Sequence, residues 1–157
     1  MSEKKKAKGK AIRVQYGALP YRQLDDGSLQ ILLVTSRQTK RWILPKGWPI
    51  KGLKPAKSAA REAFEEAGVR GVVGTRPIGS FTYDKILDDD GRIVPCEIHV
   101  FPLLVERQHR TWPEQLEREV RWLEPSGAIA LLDEPGAKDL VSAFVDRKMP
   151  AKDTSGS

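Results

Sequence analysis

Four residues with chemistry to offer sit close together between Pro55 and Ala67: Arg61, Glu62, Glu65 and Glu66. The segment reads as a helix, opened by Pro55 in its first turn and closed by Gly68 in the left-handed position after its end. With Glu62 at zero on a helical wheel, Glu66 falls at about 40° and Glu65 at about −60°. Three carboxylates on one arc repel each other unless a cation joins them. Hard oxygens at this spacing suit Mg²⁺ or Mn²⁺, which keep water and take phosphate oxygens at the same time. The plainer reading is a solvated acidic face paired with Arg61. The segment in front of the helix weighs against it, because Arg37, Lys40, Arg41, Lys46, Lys51 and Lys54 crowd the approach. Cations beside a metal-binding carboxylate cluster are what a phosphoanhydride substrate requires.

The elements that must position these residues follow from the pattern around them. Ala56, Ala59, Ala60, Ala63, Ala67 and Phe64 cover roughly 60° to 200° of the same wheel, so a small apolar face adjoins the acidic one. That face lets the helix approach a sheet closely. Val14 to Arg22 reads as a strand interrupted by Gly17 and Pro20, which suggests an edge or a bulge. Leu29 to Ser36, with the run Ile31 to Val34, reads as a buried strand in a hairpin with it. Trp42 to Leu44 is a short apolar segment ended by Pro45. Val72 to Tyr83 reads as strand with a break at Thr75–Pro77, and Ile98 to Val105 as a second strong strand. Glu119 to Leu123 is extended, and helices follow at Pro125–Leu132 and Gly136–Arg147. Strands, one helix, more strands and then helices make a mixed α/β domain.

With 157 residues, 39% hydrophobic and 31% charged, the chain has the size and make-up of one globular domain. The basic stretch 1–11 and the tail 149–157 read as disordered, leaving the domain at 12–148. No apolar run is long enough to span a bilayer, and no secretory signal is recognisable. The single Cys96 excludes an internal disulfide framework and fits a reducing cytoplasm. Asp88-Asp89-Asp90-Gly91 reads as a hairpin turn, not a cation loop. His99, with no clustered ligand partner, reads as structural. No nucleic-acid motif is present, and the aromatics do not interleave with the basic residues.

The stretch Gly47 to Val69 resembles the Nudix box, in which Gly, five residues, Glu and seven residues precede Arg-Glu-apolar-any-Glu-Glu-any-Gly-apolar. Gly47, Arg61, Glu62, Ala63, Glu65, Glu66, Gly68 and Val69 stand at the required spacings. Leu53 departs from the pattern where the first Glu belongs. Ile31-Leu-Leu-Val-Thr-Ser-Arg37, Arg41-Trp-Ile-Leu-Pro45 and Arg121-Trp122-Leu123 are similar to the diphosphoinositol polyphosphate and diadenosine polyphosphate branch. The resemblance implies an α/β/α sandwich with a mixed sheet and the box as loop-helix-loop.

It further implies metal-dependent hydrolysis of a phosphoanhydride bond by in-line attack of water. Glu62 and Glu66 would be the principal ligands of Mg²⁺ (Mn²⁺ is the alternative), and Glu65 a ligand or the general base. Arg61 would hold loop or carboxylate groups. Arg37, Lys46, Arg41 and Arg13 are the candidates for substrate phosphate. Glu119, with Glu117 second, is the candidate for a further acid from outside the box. Leu53 bears on loop anchoring and on the orientation of Arg61 more than on metal binding. The implied substrate is a small polyphosphate, either a dinucleoside polyphosphate or a diphosphoinositol polyphosphate, acted on by a cytoplasmic monomer or homodimer. The alternatives are removal of pyrophosphate from RNA 5′ ends and a non-catalytic ligand-sensing module. Three mutually repelling acids count against the latter.

Overall fold

The computed structural model of the protein describes residues 11–87 and 91–149. The expected tails, apart from Ala11 and Met149, and the three aspartates of the expected turn lie outside the described residues. The elements run β1 (Arg13–Gln23), β2 (Leu29–Thr35), β3 (Trp42–Ile43), β4 (Lys46–Gly47), α1 (Pro55–Ala67), β5 (Val69–Val73), β6 (Gly79–Ile86), β7 (Ile93–Gln108), β8 (Val120–Leu123), α2 (Pro125–Leu131) and α3 (Pro135–Lys148).

One mixed sheet holds every strand among the described residues. Its spine is β3-β2-β1-β7-β5, with β4 added to β1, β6 to β7 and β8 to β2. β1 and β7 run parallel, from Arg13 opposite Cys96 to Tyr21 opposite Leu104. All the other pairings are antiparallel.

β1 is therefore a central strand, not the edge strand that Gly17 and Pro20 suggest. Ala18 N–H donates to Pro45 O at 3.0 Å, on the β4 side of the strand. Pro20, two residues on, points its nitrogen the same way. There β4 has ended and β2 begins pairing only at Tyr21, so no partner needs the missing N–H. Pro102 in β7 follows the same rule. Its carbonyl faces Gly74, in the interval where β7 passes from β5 to β6. Each proline marks the point at which a long strand changes neighbour.

Side chains alternate across β2, so its continuous apolar run serves two cores. Leu29, Ile31 and Leu33 face one layer with Ile98 and Val100, covered by Ala128, Leu132, Val141 and Phe144 of the α2–α3 segment. Leu32 and Val34 face the other with Ala18, Phe101 and Leu103, covered by Ala56, Ala59, Ala63 and Ala67 of α1. The alanine face of α1 thus lies on the sheet, giving the expected α/β/α sandwich. Phe64 does not join that core. It lies half-buried at the margin, where the Arg70 guanidinium stacks 3.8 Å from its ring centre.

Candidate active site

The loop and the helix of the box are fixed by local contacts. Ile50 N–H donates to the buried Ser58 Oγ at 3.2 Å, and Leu53 N–H to Ile50 O at 3.0 Å. The loop is thereby tied to the helix without an acid at position 53. At its start, Gly47 lies directly against the Glu62 carboxylate: a Cβ there would stand 2.5 Å from Oε1. Only glycine leaves room for the carboxylate.

The far end of α1 is held by the chain after β7. Glu114 N–H donates to Glu65 O at 2.9 Å, Trp112 Nε1 to Glu66 O at 3.2 Å, Gln108 Nε2 to Ala67 O at 3.1 Å and His109 N–H to Gly68 O at 2.8 Å. These are carbonyls that a helix end leaves without intrahelical partners. Gly68 adopts the left-handed conformation (φ +74°), and a Cβ on it would collide with the Trp112 ring. The position requires glycine twice over.

This strap also delivers Arg118 and Glu114. Arg118 Nε donates to Glu114 Oε1 at 2.7 Å and Nη1 to Thr35 O at 3.0 Å, while Nη2 stands 3.6 Å from Glu66 Oε2. Glu66 is 3% exposed and its Oε1 has no hydrogen-bond partner among the described residues. Burial pushes its carboxyl up to about 8, against the opposing pull of Arg118 and with help from the neighbouring Glu62. Burial and the charge of Glu65 also raise Glu62, while a hydrogen bond with Glu66 lowers it. A buried carboxyl left bare on one oxygen and bonded to a second carboxyl is a costly arrangement without a cation.

A cavity of about 210 Å³ opens beside Glu66. Arg37, Arg41, Lys46, Lys85 and Arg118 line it, together with Tyr83 and Glu134. Arg37 pairs with Glu117 at 3.2 Å and Arg41 with Asp133 at 3.0 Å, both exposed. Lys46 is buried, 3.9 Å from Glu134 Oε1 and 4.8 Å from the Tyr83 ring centre. Its burial depresses its basicity, offset in part by Glu134 and Glu66. Tyr83 Oη donates to Gln15 Oε1 at 2.8 Å, and burial pushes the phenol up.

The residues singled out in the sequence thus divide. Arg37, Arg41, Lys46 and Glu66 meet in this cavity, and Glu62 adjoins Glu66. Glu65 does not line the cavity: it stands about 100° round the helix from Glu66, but one turn from Glu62, whose carboxyl its charge raises. Arg61 is exposed, makes no hydrogen bond or ion pair among the described residues, and lines a separate pocket with Leu53. Arg13 stacks over Trp48, 5.9 Å from the ring centre, outside the cavity. Glu119 is exposed, its backbone held by Thr35, and does not line the cavity. The acid from outside the box whose charge acts on both Glu62 and Glu66 is Glu114. Arg118, Tyr83, Lys85 and Glu134 also escape the sequence reading. They come from three separate places, Tyr83 and Lys85 from β6, Arg118 from the loop before β8 and Glu134 from the loop before α3, and only the sheet topology brings them together.

Among the described residues, no three of His, Cys, Asp and Glu form a group able to hold a metal ion. A pair is present: Glu62, and Glu66 with its bare buried oxygen. Mg²⁺ characteristically binds one or two carboxylates and completes its shell with water and substrate phosphates. The pair beside a cationic cavity fits such an ion.

Comparison with known proteins gives the family and the fold. The NUDIX domain family matches residues 16–144. The chain is 34% identical over 140 residues to Nudix hydrolase 21, chloroplastic, of Arabidopsis thaliana, covering 84% of this chain and 66% of that protein. It is 34% identical over 106 residues to the Bos taurus diphosphoinositol polyphosphate phosphohydrolase 3-beta, covering 66% of this chain and 60% of the relative. The chain spans about two thirds of the length of such curated relatives. Among solved structures, a C. elegans Ap4A hydrolase binary complex superposes with a TM-score of 0.62 at 22% identity, covering 87% of this chain and 99% of that one, which is a likeness of fold. The glycine that admits Glu62 and the glycine that admits Trp112 are the parts of the box that the fold enforces, and with the family match over residues 16–144 the chain belongs to the NUDIX domain family.

Proposed function

We propose that the protein is a divalent-metal-dependent pyrophosphohydrolase of a small polyphosphate substrate, preferentially a dinucleoside polyphosphate. The observation that carries this is the juxtaposition of Glu66, buried with one bare carboxylate oxygen, and the cavity lined by Arg37, Arg41, Lys46, Lys85 and Arg118. The cations bind and orient a phosphate chain, and Lys46 and Arg118 do so from buried positions where each contact counts for more. Glu62 and Glu66 would hold Mg²⁺, with Mn²⁺ as substitute. The ion supplies neutralisation of phosphate charge and acidification of bound water. Glu65, half-exposed beside that pair, accepts the proton of the attacking water.

A diphosphoinositol polyphosphate is the competing substrate, supported by the likeness to the bovine phosphohydrolase. Charge favours the linear chain. Arg37, Arg41, Lys46 and Arg118 each already face an acid, which leaves Lys85 as the one lining cation without a partner among the described residues. A ring bearing phosphate at every carbon needs more free positive charge than that. The test is a product-resolved panel with Mg²⁺ and with Mn²⁺: Ap4A, Ap6A, a diphosphoinositol phosphate, nucleoside triphosphates, ADP-ribose and triphosphorylated RNA. Turnover of the dinucleoside polyphosphates above the rest is the expected result. Inactivity on all of them overturns the enzymatic reading, and a preference for the inositol substrate overturns the choice of chain over ring.

A further inference from the structure

The opposite side of α1 from the Glu66 cavity carries a second constellation, created by the departure at Leu53. A pocket of about 430 Å³ is lined by Lys57, Arg61, Arg70, Leu53, Val73 and Leu103, among others, and no acidic residue borders it. Among the described residues none of its three cations makes an ion pair, in contrast to most cations of the Glu66 cavity. Three like charges converging on one pocket repel each other unless an anion joins them. Arg70 is also held in place. The register of β5 against β7 shifts between Arg70 and Gly71, and such a bulge re-aims the side chain beside it. The guanidinium rests 3.8 Å from the Phe64 ring centre, a cation–π contact that reduces its freedom before any ligand arrives.

The pocket does not end there. Lys57, Gly71 and Val73 also line an adjoining groove of about 730 Å³, whose other walls include Tyr16, His99, Phe101 and Pro77. The ring edges of Tyr16 meet His99 and Phe101, each with centres 6.2 Å apart. The combined groove therefore has Arg61 and Arg70 at one end and Tyr16, His99 and Phe101 at the other, with Lys57 at the junction and Lys54 on the wall of the aromatic part. An acid at position 53 would place a carboxylate in the wall beside Arg61. Leucine leaves the cations unneutralised and adds apolar surface.

We infer that this groove is a second ligand site, separate from the hydrolytic one, for a nucleoside monophosphate: phosphate on Lys57, Arg61 and Arg70, base against the aromatic end. Matching a charged group to a charged end and a flat ring to an aromatic end fixes the orientation. The ligand binds without a metal, because the groove has cations where the Glu66 cavity has carboxylates.

Amide chemical-shift mapping of the full chain in EDTA, titrated with AMP, adenosine and inorganic phosphate, tests it. AMP should give saturable shifts at Lys57, Arg61, Arg70, Gly71 and Val73, and bind at least about tenfold more tightly than either fragment. Arg70→Glu and Leu53→Glu should each weaken AMP at these amides by about tenfold, and Glu66→Gln should leave them unchanged. Lys57→Glu is the second charge reversal should Arg70→Glu disturb the spectrum of the free protein. Shifts confined to residues of the Glu66 cavity, equal binding of phosphate and AMP, or insensitivity to the charge reversals would each overturn the inference.

Discussion

The carboxylate of Glu62 occupies the space in which a side chain on Gly47 would begin. The loop and the helix of the box are thus in direct contact at the pair that would hold the metal. Gly47→Ala should push Glu62 away from Glu66 and lower Mn²⁺ affinity by about tenfold to a hundredfold, the range seen when ligand orientation is lost. Isothermal titration with Mn²⁺ measures it. Wild-type affinity in a folded Gly47→Ala protein would show that Glu62 is not a ligand.

Gly68→Ala should cost about 1–3 kcal/mol, because the residue is left-handed and faces the Trp112 ring. Trp112→Phe should cost about 1 kcal/mol through the lost hydrogen bond to Glu66 O. Urea denaturation at neutral pH distinguishes the two. The larger loss belongs to Gly68→Ala, since it both strains the backbone and displaces the ring.

Glu66 makes the metal-free protein sensitive to pH. Its carboxyl ionises near 4.5 when unperturbed and is pushed up to about 8 by burial in the fold. The fold therefore favours the protonated form. Its contribution to stability is full below about pH 4.5 and falls as pH rises to about 8, while only the unfolded chain releases the proton. In EDTA the Tm of wild type minus that of Glu66→Gln should decline across this window, and Mg²⁺ should flatten the decline. A difference independent of pH would contradict the burial of an uncompensated carboxyl.

Arg118→Met should cost about 1–3 kcal/mol, because Thr35 O and the half-buried Glu114 lose their donor. It should also push the Glu66 carboxyl up further, favouring its protonated form, since Arg118 is the strongest charge pulling it down. Denaturation in EDTA measures the first effect and carboxyl ¹³C titration the second. Arg118→Lys should recover little of either, as one ammonium cannot reach three acceptors in a fixed fork.

Within the box, Leu53→Glu should change turnover less than Glu66→Gln. The loop is anchored through Ile50 and Ser58, not through residue 53. Glu66→Gln should lower kcat by about a hundredfold or more, since it removes charge from the proposed metal pair. Steady-state kinetics on the substrate found in the panel decides it. A hundredfold gain for Leu53→Glu with no loss for Glu66→Gln would reverse the two roles.

The local part of this design is legible in the sequence and the convergent part is not. Pro55, the alanine spacing and Gly68 set the bounds and the buried face of α1 from short-range rules, and the structure keeps them. The continuous run in β2 correctly reports burial on both faces. Pro20 misleads, because whether a proline breaks a strand depends on what lies opposite its nitrogen, and that is a property of topology. Arg118 and Glu114 are silent for the same reason. Nothing in their neighbourhood announces that a loop after β7 will fold back on α1. The spread of Glu65 away from Glu66 is visible on the helical wheel, yet an arc broad enough to hold three acids is not a point at which three acids meet.

The strap after β7 grips the end of α1 at Glu65, Glu66, Ala67 and Gly68 by their main-chain oxygens. Such a grip does not read the side chains it holds. Ala67 is fully buried against the sheet and Gly68 is demanded by Trp112, but the main-chain bonds at Glu65 and Glu66 do not depend on their carboxylates, so anchorage and reactivity at those two positions are open to separate selection. A lineage can rewrite the acids of the last turn and inherit the helix end intact.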